Sequence, residues 1–217
     1  MSNSVAKKIS PASDRGHGRG GSLYAPDGGR KYLNRAERQR ALDTIATLDP
    51  DKALFVLTLA WTGARVSEVL ALTAASFQIS SGLVSFETLK RRRLSVREVP
   101  LPQSLLAAID ERYGIESAQR APLMSRHRIW TWHRTTGWRV VKEVMERSAI
   151  SGRPACPRGL RHGFGVLTLQ SGVPINLVQK WLGHARISTT AIYADASGPE
   201  ERSFAARFWD AATLSPL

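Results

Sequence analysis

Between Asp49-Pro50 and Thr62-Gly63 the chain reads DKALFVLTLAW, apolar on nearly every side of a helix. A helix without a polar face can rest only in an interior, so the remaining elements must wrap it. Its boundaries agree: Asp49-Pro50 breaks the preceding element and opens a new one, and Thr62-Gly63 ends it. The stretch is too short to cross a bilayer, and no other apolar run is long enough to do so. With 217 residues the chain can build such an interior as one domain with a tail.

The flanks supply the wrapping. Asn34 caps a helix through RAERQRALDTIATL, with Ala41, Leu42 and Ile45 on one face. After Gly63, the segment TGARVSEVLALT carries Val66, Val69 and Leu70 at helical spacing. LVSFETLK and SVREVPLP then alternate apolar and polar residues around the basic connection RRRL, which predicts a two-strand hairpin or small sheet closed by Pro100 and Pro102. Helical patterns follow at Ser104–Tyr113, Trp138–Arg147, Leu160–Gln170, Pro174–Leu182 and Thr189–Asp195, with a last one at about 200–212. The reading is a mostly α (α+β) fold, helical with a small antiparallel β-sheet, over residues 34–217. Residues 1–33, rich in Gly, Ser and Arg, are expected to form a flexible basic arm. The GHGRGG within it follows no strand and opens no helix, so it is no phosphate loop.

Charge bounds the partner. Lys and Arg number 31 against 18 Asp and Glu, a net +13, which favours a polyanion and, without membrane signals, nucleic acid. The single cysteine, Cys156, excludes an internal disulfide framework and a cysteine-built zinc site. His17, His127, His133 and His162 show no metal-ligand spacing, so no metal site is expected. The start, MSNSVAKKIS, lacks the apolar core of a secretory signal, and a cytoplasmic location is expected.

Several residues need a reason. Arg65 and Arg161 each fall at a helix start, where a cation opposes the dipole. Singly, such arginines serve as ion-pair or surface residues; aimed at an anion, both make sense. Gly183 ends the Pro174–Leu182 helix, so His184 emerges from a well-anchored helix end. Lys90 closes the first strand of the hairpin, and the run after it is either a solvated turn or a finger laid in a DNA groove, with Arg91, Arg92, Arg93 and Arg97 then expected on DNA. Tyr193, among small and apolar residues, taken alone reads as packing.

The order Arg65, Lys90, Arg158-Gly159-Leu160-Arg161, Leu182-Gly183-His184, Tyr193 resembles the catalytic domain of the tyrosine recombinase (phage integrase) family over about residues 34–196. TGARVSEVLALT is similar to that family's first arginine box, including its acidic residue, here Glu68. GLRHGFGVLTLQSGVPINLVQKWLGHARISTTAIYAD is similar to the second. The resemblance implies that Tyr193 attacks a scissile phosphate, leaving a 3′-phosphotyrosyl link and a free 5′-hydroxyl. Arg65 and Arg161 would clamp the non-bridging oxygens, His184 would donate a further hydrogen bond, and Lys90 would protonate the departing oxygen. Covalent storage of the bond energy implies no cofactor, neither ATP nor metal. The implied partners are double-stranded DNA, three further protomers in a homo-tetramer joined through the C-terminal helix, and an accessory DNA-binding protein. The implied outcome is integration, excision or resolution of mobile DNA.

Two departures stand out. The family commonly has histidine, sometimes lysine, where this chain has Arg158; a guanidinium can bind phosphate but cannot act as a base. The residues ahead of position 34 are also too few and too polar to make the family's N-terminal DNA clamp. Two other readings remain open: relaxation of DNA in the manner of type IB topoisomerases, and a non-catalytic DNA-binding remnant.

Overall fold

The computed structural model describes residues 22–90 and 93–196, with positions 201, 202, 205, 206 and 209 beyond them. Helix α1 (Arg35–Ile45) opens on a capping box in which Asn34 and Glu37 satisfy each other's backbone N–H groups. Helix α2 (Pro50–Thr62), capped by Asp49, is the apolar stretch, and Leu54, Phe55, Val56, Leu59 and Ala60 are buried along it. Its two interior hydroxyls stay inside the helix: Thr58 donates to the Leu54 carbonyl and Thr62 to that of Thr58. Gly63 ends α2 at φ 61°, where a Cβ would lie 2.4 Å from the Phe164 ring. A residue with a side chain is excluded there by both backbone and space.

The helix expected beyond Gly63 is a single turn, α3 (Val66–Val69). The chain then enters an antiparallel sheet of order β1 (Phe77–Gln78), β2 (Leu83–Lys90), β3 (Arg93–Pro100). The hairpin was legible in the alternation; the short first strand was not. Register pairs Val84 with Val99 and Phe86 with Arg97, and all four are buried. Period-two alternation thus carries Arg97 inward with the apolar residues.

Helices α4 (Gln103–Tyr113), α5 (Ile115–Gln119) and α6 (Arg134–Arg147) follow, then α7 (Pro157–Gln170), α8 (Ile175–Leu182) and α9 (Ser188–Ala191), which runs into a 3-10 turn over Ile192–Asp195. Helices α1, α4, α6 and α7 all pack on α2, as its lack of a polar face requires. Among the described residues no helix is long and apolar enough to cross a membrane.

The expected arm needs correction at its C-terminal end. Residues 22–33 form a packed strap: Tyr24 bridges Arg30, and Leu23, Ala25, Tyr32 and Leu33 are buried. The Leu33 N–H donates to the Gly159 carbonyl of α7, and Arg30 forks onto Glu37 of α1. Composition hid this because the apolar residues sit at the two ends of the turn APDGG, and α7 supplies the surface that covers them. Residues 1–21 lie outside the described residues. Leu23 is fully buried beside Tyr193, so Leu23→Ala should cost about 2–5 kcal/mol in urea unfolding. Deleting residues 2–31 should cost at least as much, whereas loss of a mere tether would leave stability unchanged.

At the other end, positions 201, 202, 205, 206 and 209 have helical backbone and Trp209 is exposed. The rest of the expected 200–212 helix, with Phe204 and Phe208, lies outside the described residues.

Candidate active site

The residues singled out in the sequence converge on one cleft of about 610 Å³ between α3, α6, α7, the strap and the chain after α8. Arg65, Arg158, Arg161, His184 and Tyr193 line it, joined by Lys31, Arg134 and His162, and among the described residues no carboxylate does. A concavity with five cationic side chains and no acid is built for an anion.

Arg161 lies on the first turns of α7 yet its guanidinium serves other helices. One nitrogen donates to the Gly63 carbonyl at 2.5 Å and another to the Leu182 carbonyl at 2.7 Å. These are the C-terminal ends of α2 and α8, where a cation is favoured. The apparent mismatch with the dipole of its own helix is therefore reversed by its neighbours. Burial, aided by the nearby Arg65, lowers its pKa to about 10, so it remains a cation at neutral pH.

Arg65 is the N-cap of α3 and its side chain is half exposed. Glu68 holds it, accepting from the Arg65 backbone N–H at 2.8 Å and from its guanidinium at 3.0 Å. Burial pushes the Glu68 carboxyl up, but Arg97 and then the Arg65 N–H outweigh that and hold it below its usual range.

Arg97 corrects an expectation. It is not exposed for phosphates; its guanidinium is buried, pairs with Glu68 at 2.8 Å and lies over the Phe86 ring, while Nε donates to the Trp181 carbonyl. With Arg161 it ties down the end of α8, one residue apart. Arg97→Ala would leave the Glu68 carboxylate to Arg65 alone among the described residues and the Trp181 carbonyl without its donor, and should cost about 1–3 kcal/mol in urea unfolding. The log–log salt slope for DNA binding should stay unchanged; a drop of about 0.9 would return Arg97 to the phosphates.

His184 follows Gly183, which takes φ 65°, and its N–H caps α8 at the Gln179 carbonyl. Its Nδ1 meets the Thr190 hydroxyl at 2.9 Å, which fixes the ring. Tyr193 sits between two histidines, stacked on His184 at 6.2 Å and tilted against His162 at 5.7 Å. Its ring fits because residue 165 is glycine: a Cβ there would come within 2.6 Å of it. The His162 Nδ1 lies 3.1 Å from the Tyr193 hydroxyl. Burial raises the Tyr193 pKa against the opposing pull of Arg161 and Arg65, so the phenol keeps its proton at neutral pH. Burial, then Arg158, Arg161 and Lys31, take His162 down to about 4, and it is neutral there.

Arg158 is exposed on the rim of the cleft. Lys90 ends β2, its backbone paired with Arg93. The side chains of Lys90 and Arg93, and the whole of Arg91 and Arg92, lie outside the described residues. Sequence reasoning missed Lys31, Arg134 and His162 as cleft residues. For His162 a signal existed: it directly follows Arg161, but it was weighed only as a metal ligand.

A small antiparallel sheet against a helical body is a fold shared with solved tyrosine recombinases. The crystal structure of XerA recombinase superposes with a TM-score of 0.66 at 22% identity, covering 85% of this chain and 66% of that one. The catalytic domain of bacteriophage HP1 integrase gives 0.57 at 22% identity, covering 85% of this chain and 98% of that one. Residues 31–199 match the Phage integrase family, and the chain belongs to it. It is 30% identical to tyrosine recombinase XerA of Pyrococcus furiosus over 167 residues, covering 75% of this chain and 56% of that protein. To tyrosine recombinase XerC of Roseiflexus castenholzii it is 34% identical over 151 residues, covering 66% and 46%. The chain thus spans about half the length of these curated relatives.

Proposed function

We propose that the chain is the strand-cleaving part of a site-specific DNA recombinase acting on duplex DNA. The observation that carries this is the Tyr193 hydroxyl in a cleft with Arg65, Arg158, Arg161 and His184 and without a carboxylate. A phosphodiester seated there meets fixed donors aimed at its non-bridging oxygens, where charge grows as the tyrosine oxygen adds. Tyr193 attacks phosphorus, the bond to the 5′-oxygen breaks, and Lys90 at the hairpin end supplies the proton to that oxygen. Arg65 and Arg161 hold the phosphate and His184 donates beside them; Arg158 adds charge at the rim. Arg91, Arg92 and Arg93, between the two strands in sequence, would contact the duplex backbone.

Known relatives lend support for the partners. A XerH recombinase of the same fold was solved on its difH substrate after cleavage, and a lambda integrase as a dimer on a COC′ core site. For this chain, the same reading extends to assembly as a tetramer through the segment at 200–212 and to an accessory DNA-binding protein.

The test uses covalent capture. A library of random-sequence duplexes, each carrying a nick that lets the cleaved end diffuse away, is incubated with the full chain and denatured in SDS. DNA recovered on Tyr193 by mass spectrometry reports both the activity and its site. Binding without any adduct would leave a DNA-binding remnant, and adducts with no site preference on a plasmid that relaxes would favour a topoisomerase.

A further inference from the structure

Arg158 lines the rim of the same cleft, and a guanidinium cannot accept a proton. The phenol nonetheless must lose its proton as its oxygen bonds to phosphorus, and burial makes spontaneous ionisation harder. Two imidazoles border the ring. His184 presents its face, stacked at an interplanar angle of 17°, and its Nδ1 is engaged by Thr190. His162 presents an edge nitrogen, Nδ1, 3.1 Å from the tyrosine oxygen.

We propose that His162 is the proton acceptor for Tyr193, a role that rests on the reading of Tyr193 as the nucleophile. In cleavage the Tyr193 oxygen forms its bond to phosphorus and its proton passes to His162 Nδ1, giving an imidazolium. The P–O5′ bond breaks with its electron pair on the 5′-oxygen, which takes a proton from Lys90. Religation runs the same transfers backward: His162 returns the proton to the departing phenolate.

The surroundings of His162 make this transfer depend on DNA. Arg158 and Arg161 act on it from α7 and Lys31 from the strap, while Tyr193, itself stacked on His184, closes it from the segment after α8. Without DNA, burial and these cations keep the imidazole neutral, and in the tautomer protonated at Nε2 its Nδ1 accepts from the Tyr193 hydroxyl, but they also make it a weak base. Arg158, Arg161 and Lys31 all line the cleft that receives the phosphate. A phosphodiester docked among them offsets their charge and raises the proton affinity of His162. The base strengthens when its substrate arrives.

The experiment uses the nicked duplex recovered by covalent capture and follows single-turnover adduct formation from pH 4 to 9. Wild type should gain rate as pH rises below neutrality, as His162 in the complex gives up its proton. His162→Gln keeps volume and polarity but cannot hold a proton. It should bind the duplex as wild type does, cleave roughly 10²–10⁴-fold more slowly at pH 7.5, and lack the acid-side limb. An unchanged rate and limb in His162→Gln, with the adduct still on Tyr193, would overturn the assignment and leave the nucleophile standing. Adducts on another residue, or none from wild type, would remove both. Should thermal melting show His162→Gln unfolded, the wild-type profile decides alone, because a flat rate from pH 4 to 7 contradicts a titrating acceptor.

Discussion

Tyr193→Phe should form no SDS-resistant DNA adduct, while its affinity for the captured duplex stays within about twofold of wild type. The change removes one oxygen and leaves the ring in the slot that Gly165 opens between His162 and His184. Among the described residues the hydroxyl's hydrogen-bond partner is His162, so stability should fall by only about 1 kcal/mol. The cleft's other nucleophilic side chains are the Ser22, Ser67 and Thr189 hydroxyls and the Cys156 thiol, and mass spectrometry of the adduct distinguishes them from Tyr193. Single-turnover assays with labelled duplex and urea unfolding of both proteins check this pair of outcomes. An adduct of wild-type yield on the phenylalanine protein would reduce Tyr193 to a packing residue.

Arg161→Ala should show the second large effect, and in two separable readouts. Removing a preorganised donor to a transition-state anion costs roughly a hundred- to a thousandfold in rate. Adduct formation at saturating protein should fall by that order. The same substitution leaves the Gly63 and Leu182 carbonyls without the guanidinium that joins them, at about 1–3 kcal/mol for each buried acceptor. The urea midpoint should therefore drop as well. Arg65→Ala provides the contrast: its side chain is half exposed and paired with Glu68, so cleavage should suffer far more than stability. Equal destabilisation by both substitutions would mean that Arg161 is not the joint between α2 and α8.

Much of this protein follows from local chemistry. The apolar stretch of α2, the Asn34 and Asp49 caps and the Gly63 and Gly183 stops each depend on residues adjacent in the chain. The alternation across the hairpin is of the same kind, because a strand's two faces are set every second residue. Family membership was legible too, since its motifs are short runs: the arginine boxes, the LGH turn and the tyrosine follow one another in order.

Tertiary structure decided what adjacency cannot express. Residues 22–33 look like linker until α7 covers Leu23, Tyr32 and Leu33. Arg97 reads as one more basic residue on a basic hairpin, yet register turns it inward, where Glu68 and the end of α8 receive it. Arg161 seems misplaced on its own helix because the two helix ends it serves arrive from 98 and 21 residues away. His162 is one step along α7 from Arg161, but its meeting with Tyr193 spans 31 residues and exists only once α8 and α9 have packed. Caps, stops and periodicity act over a few residues and survive in the sequence. The charge balance around a buried guanidinium or phenol is set by whichever groups folding brings within hydrogen-bond reach, and distance along the chain carries no record of it.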